Sequence, residues 1–330
     1  MAIGTADGEQ QLAARGSIKK RGGFGQRLWA ARWCYLFMVP ALILSMLFTA
    51  YPIVASWYFS FLDWSGFTSV RTFVGLENYR EVLQDKYFWD AFKRTFLFMF
   101  VSTPPRLVLS LLLAIILNDQ ALKLAPIFRT LIFIPVVTTA AIVGIVMTFV
   151  FSPFNGPVNK ALLGFGLVSQ PIDFLGNPDT AMWTVVAVFI WKNFGITMIY
   201  WLAALQTVPA ELYEAAKVDG AGSWAIFRRI TLPLLVPFTI IITLITVVQT
   251  LRVFPIVQTM TGGGPFFASE VMEVYIYRTA FGTGGIPRLG YASAVGVFFG
   301  LATLIIAIIQ GVGLRRANAQ RRELMMGGDR

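Results

Sequence analysis

The sequence predicts an all-α membrane protein with six transmembrane helices. Three observations carry that expectation. The 330 residues are 56% hydrophobic and only 13% charged, against about 25% charged in an ordinary soluble domain. Six stretches reach the roughly 20 apolar residues that a helix needs to cross a bilayer. The net charge of +10 is also unevenly divided among the segments that join them. With the N-terminus inside, the cytoplasmic segments hold 16 basic and 8 acidic residues, and the outer segments 8 and 9. That is the positive-inside pattern. It explains the excess charge by membrane topology, with no nucleic-acid partner.

Taken in order, residues 1–32 form a polar, basic cytoplasmic tail suited to anionic lipid. The first span, Trp33–Phe61, contains Pro40 and Pro52 and is expected to tilt or bend. It is too long for a signal-peptide core, and no convincing cleavage site follows, so it is expected to stay. An outer loop from Leu62 to Lys93 carries a short helix over Tyr79–Asp85. The spans Thr95–Leu117 and Ile127–Phe151 follow. A second outer loop, Ser152 to Thr180, reads as a turn, a short surface helix and a turn. The fourth span is Met182–Leu205. A polar insert then predicts a helix over Glu211–Val218, broken by Gly220 and Gly222, with Ser223 capping a second helix through Arg229. The apolar run resumes as the fifth span, Leu234–Gln258. Thr261-Gly262-Gly263-Gly264-Pro265 makes a flexible break, Tyr291–Leu314 the sixth span, and residues 315–330 a cytoplasmic tail. The membrane domain thus covers 33–314.

Two devices are absent from the sequence. The single cysteine, Cys34, excludes an internal disulfide, and the lack of histidine excludes a Cys/His metal site. No GxxxxGK[ST] loop occurs, so energy from ATP must come through a partner.

The polar insert, residues 207–233, has a definite spacing. Glu214-Ala215-Ala216 is followed after three residues by Gly220, and after nine more by Ile230-x-Leu232-Pro233. The two alanines permit close approach, and Gly220 permits a turn that a Cβ resists. This pattern resembles the cytoplasmic loop of permease subunits of bacterial ATP-binding-cassette (ABC) importers. Asp219-Gly220-Ala221 and Phe227 resemble the carbohydrate branch of that family, the maltose and glycerol-phosphate permeases. Gly156, Asn159, Leu162 and Leu163 in the second outer loop, and the glycine run at Thr261, extend the resemblance from about Pro40 to Leu314. One departure stands out: Phe254 is followed by Pro255, where the family commonly has Phe-Asp.

The resemblance implies a type I importer permease fold with a cytoplasmic coupling helix, in the bacterial inner membrane, with both termini inside. It implies a second permease subunit, an ATPase dimer that binds ATP and Mg, and an extracytoplasmic solute-binding protein delivering a sugar or oligosaccharide. This chain would hold no cofactor, metal or catalytic residue. Its coupling residues would be Glu211, Glu214, Ala215, Ala216, Asp219 and Gly220.

Candidates for the transport path come from the residues themselves. Ionisable groups inside a span are costly and by default face a cavity or a partner. Lys192 and Arg252 lie in the fourth and fifth spans, and Trp191, Asn193 and Gln249 are near them. Aromatic and amide groups suit sugar faces and hydroxyls. The two cations raise an anionic sugar as one substrate class; pairing with backbone carbonyls or with the second permease is the competing reading. Arg106, after Pro104-Pro105, is expected to satisfy carbonyls freed at that break. Other functions remain open at this point. A proton- or sodium-coupled transporter usually needs intramembrane carboxylates or histidines, and the six spans hold none. A membrane enzyme needs a base or nucleophile cluster, and none is visible. A structural subunit without a transport path is the third alternative.

Overall fold

The computed structural model describes residue 29 and residues 32–119, 122–282 and 285–327, with side chains through 313. Most of the tail assigned to 1–32 lies outside the described residues, as do the side chains of 315–330. The chain divides into two compact units, Met1–Ala55 and Ser56–Arg330. Among the described residues, five helices are long and apolar enough to cross a membrane, and one sharply bent pair makes up to six spans.

Helix α1 runs Arg32–Phe59. A two-stranded ribbon, β1 (Leu62–Asp63) against β2 (Thr72–Phe73), precedes α2 (Glu77–Gln84) and the 32-residue α3 (Lys86–Leu117). The bent pair is α4 (Ala125–Val137) and α5 (Ala140–Val150). The surface helix α6 (Pro157–Gly164) leads to α7 (Pro178–Leu205), the polar α8 (Ala210–Val218) and α9 (Ser223–Thr250). Short α10 (Phe254–Met260), then α11 (Met272–Phe281) and α12 (Leu289–Gly327) complete the chain. In the second unit α7 lies against α3, with Phe98 and Phe189 edge to face at 5.3 Å. Val185, Ile256 and Val257 close the same core.

Three expectations from sequence are corrected. The continuous third span is broken: α4 and α5 bend by 98°. Pro135 has already removed one ladder donor, and Thr138 and Thr139 take extended backbone, with ψ of 139° and 142°. The second correction concerns the cap. Gly222, extended at ψ 160°, caps α9, while Ser223 is its first residue; no side-chain cap bond forms. No separate helix ends at Arg229; α9 runs on unbroken through a π turn at Phe227–Thr231. Third, the fifth span stops at Thr250, not Gln258, so Arg252 lies in a break between helices.

The π turns share one cause. Leu232 N–H bonds Phe227 O, and Tyr51 N–H bonds Met46 O, each five residues back. The next residue in each case is a proline, Pro233 or Pro52. Proline lacks an N–H and presses on the carbonyl four residues behind, and a widened turn just upstream relieves both.

A polar latch ties α2, α3, α11 and α12 together in the second unit. Asp85 caps α3 by accepting from Tyr87 N–H at 2.8 Å, and its other oxygen accepts from the phenols of Tyr275 (2.5 Å) and Tyr291 (2.7 Å). Arg288 pairs with Glu81, and Arg278 with buried Glu270. Burial pushes the Asp85 carboxyl up, but the donated hydrogen bonds outweigh it and hold the group below the usual range. A depressed folded-state value adds stability above the unfolded value of about 3.9, lost as pH falls through the folded one. Asp85→Asn is therefore expected to lower the melting temperature at pH 7 by a few degrees. The gap to the unmodified chain should close as pH falls below about 4. A gap unchanged at acid pH would remove the carboxylate from this account.

Candidate translocation site and docking loop

Lys192 and Asn193 sit midway along α7, Gln249 one residue from the end of α9, and Arg252 in the break beyond it. These four line one small cavity of about 80 Å³, with Phe189, Val253 and Pro255. Trp191 does not line it. One residue along a helix turns about 100°, and the indole is 43% exposed.

The two cations differ in their partners. Lys192 is buried, and its ammonium donates to Val136 O at 3.4 Å. That carbonyl is in the last turn of α4, where helical acceptors have no partner of their own. The bent span thus leaves a helix end that Lys192 covers. Arg252 is exposed, and its side chain makes no hydrogen bond or ion pair with a described residue. It also borders a second cavity of about 430 Å³, opposite Glu273. Glu273 caps α10 by accepting from Phe254 N–H at 2.6 Å, and burial pushes its carboxyl above the ordinary range.

Arg106 does not serve the carbonyls near Pro104-Pro105. It is fully buried, and its guanidinium crosses to two neighbouring helices. Nε donates to Thr197 Oγ1 at 2.8 Å and Nη2 to Gln249 Oε1 at 2.6 Å, while Nη1 has no partner among the described residues. A charged residue inside a span was the sequence signal; the partners, 91 and 143 positions away, were beyond it. The threonines along α9 play a packing role: Thr246 and Thr250 are buried, and Thr239 and Thr250 bond back to carbonyls four residues earlier.

The polar insert after α7 is a different kind of surface. Helix α8 ends with Ala221 N–H on Ala216 O (2.9 Å) and Gly220 N–H on Lys217 O (3.1 Å). This paired closure needs a left-handed residue, and Gly220 supplies it at φ +76°. Ala216 is buried beneath; Glu211, Glu214, Ala215, Asp219 and Gly220 face outward. Val218 and Trp224, 87% and 71% exposed, flank them. Neither belongs to the spaced motif, so the sequence pattern does not single them out. A groove of about 490 Å³ lies under the loop, lined by Asn118, Tyr213, Glu214, Lys217 and Phe227 among others.

Residues 83–318 match the family described as "Binding-protein-dependent transport system inner membrane component". The chain belongs to this family. A probable ABC transporter permease protein of Bacillus subtilis (strain 168), YurN, is 35% identical over 84% of this chain and 94% of its own. The lactose transport system permease protein LacF of Rhizobium radiobacter is 33% identical, over 84% and 92%. Among solved structures, a bacterial ABC transporter involved in import of the acidic polysaccharide alginate superposes with a TM-score of 0.77. It is 25% identical and covers 89% of this chain and 99% of its own. The family assignment accounts for the helical permease fold.

Proposed function

We propose that this chain forms half of the translocation path of an ABC importer for oligosaccharides, acidic ones included. A second permease completes the path. ATPase subunits, which bind ATP and Mg, grip α8, and an extracytoplasmic binding protein delivers the saccharide. The chain itself has no catalytic role. Both termini lie on the cytoplasmic side of the bacterial inner membrane.

The observation that carries the acidic reading is the cavity wall. Lys192 and Arg252 line it, Arg106 stands behind Gln249, and no carboxylate lines it. Cations that share a cavity with no carboxylate in its lining favour an anion. The similarity to the alginate transporter supports the same class. At about 80 Å³ the cavity is well under the roughly 300–1,000 Å³ of ligand sites, as befits one wall of a site shared with another subunit.

The two cations are not equivalent, which yields a graded prediction. Arg252→Gln is expected to cut stimulation of the complex by acidic saccharides about 10–100-fold, the usual weight of a hydrogen bond to a charged group. Lys192→Gln acts less, because Lys192 already holds Val136. ATPase activity of the reconstituted complex with its binding protein, across matched neutral and acidic saccharides, is the measurement. Stimulation by neutral saccharides alone would make both cations structural.

A further inference from the structure

We infer that Arg106 is a positioning residue: it locks the Gln249 amide with its oxygen away from the cavity, so that the N–H₂ group faces the passenger and selects oxyanions. This rests on the acidic-saccharide reading above.

The chemistry of the pair fixes the orientation. A guanidinium has five donors and no acceptor. The Gln249 atom 2.6 Å from Arg106 Nη2 is therefore the oxygen. Gln249 lines the cavity, and its Nε2 donates to no described residue. Arg106 cannot swing aside easily, because Nε is tied to Thr197 Oγ1 at 2.8 Å and the side chain is fully buried. Asn193 is fixed by the same logic. Its Nδ2 donates to Phe189 O at 2.8 Å, a group that only accepts, leaving Oδ1 unused.

The polar inventory of the wall is then lopsided. Lys192, Gln249 and Arg252 present donors; among the described residues that line it, only Asn193 presents a side-chain acceptor. A sugar hydroxyl both donates and accepts, whereas a carboxylate or sulfate only accepts. A wall rich in donors satisfies the oxyanion and leaves hydroxyl protons without partners. Arg106 does not line the cavity, so its part is to hold Gln249 rather than to touch the passenger.

Gln249→Glu separates this from a structural role. Glutamate keeps the shape and stays paired to Arg106, so assembly is retained, while the two N–H donors vanish from the wall. The probes are an oligouronate and its neutral methyl ester, titrated calorimetrically into the permease–ATPase complex held in nanodiscs without binding protein. The unmodified complex is expected to prefer the oligouronate by about tenfold or more. Gln249→Glu should erase that preference, weakening the acid about tenfold and the ester less than about twofold. Arg106→Lys, which keeps a donor on Oε1, should retain it. A preference that survives Gln249→Glu overturns the Arg106–Gln249 assignment and leaves the acidic reading intact. A complex that binds only the ester overturns both.

Discussion

Gly220→Asp should leave the chain folded and inserted, while ATP-driven uptake falls by about tenfold or more. Gly220 sits at φ +76°, and a Cβ built there meets nothing within 4 Å. The cost is backbone strain alone, about 1–2 kcal/mol, and aspartate is among the residues that tolerate this region. That is small beside the packing of the helices. The new carboxylate, however, projects from a surface that already carries Glu211, Glu214 and Asp219. On the proposed docking of α8 against an ATPase, the aspartate adds an unmatched like charge at the tip of the helix, and such juxtapositions cost several kcal/mol at an interface. Gly220→Ala brings the same strain without the charge and should retain most uptake. Uptake into proteoliposomes, beside ATP hydrolysis by the same preparation, reads the uncoupling. Normal uptake by the aspartate variant would sink the docking assignment.

Gly195→Ala should be strongly damaging, because it forces α4 and α7 apart. Its Cβ would stand 2.5 Å from Ile132 O and 3.2 Å from Val136 Cγ2. A backbone carbonyl inside α4 cannot step aside, so α7 and α4 must separate. Overpacking of this kind costs about 1–3 kcal/mol. The separation also pulls Val136 O from Lys192, one turn earlier on α7, which strips a buried ammonium of its acceptor. A fall of roughly 5 °C or more in melting temperature is expected, together with weaker saccharide stimulation. An unchanged melting curve would overturn the close α4–α7 approach as the source of this cost.

Much of this architecture was legible in the residues because composition decides membrane spans with little help from tertiary context. The helix over Glu211–Val218 is observed as Ala210–Val218, since a polar segment ended by glycine carries its own boundary signals. The breaks were not legible. Thr138 and Thr139 are apolar enough to pass within a span, and Gln249 to Gln258 reads as continuous hydrophobic chain until Arg252 is found between two helices. The face of α7 was equally hidden. That helix is apolar nearly all round, so no amphipathic stripe distinguishes Trp191 from Lys192, and only the packed neighbours do. Arg106 shows the same limit more sharply. Its cost was evident from its position in a span, but its partners come from distant helices. The pairs of Asp85 with Tyr275 and Tyr291, and of Glu270 with Arg278, were missed for the same reason.

The lysine of α7 is balanced by the end of a helix instead of by an acid. An acid would be a permanent rival to any negatively charged passenger, which would have to evict a full counter-charge before settling. A helix terminus offers only about half an elementary charge, spread over several carbonyls and fixed in place. It keeps the ammonium from being stranded without neutralising it. On the proposed acidic-saccharide path, the bend in α4–α5 thereby gives the cavity beside Lys192 the character of a fixed-charge anion exchanger. The species it must discriminate against are then the small inorganic anions of the bathing solution, not side chains of its own.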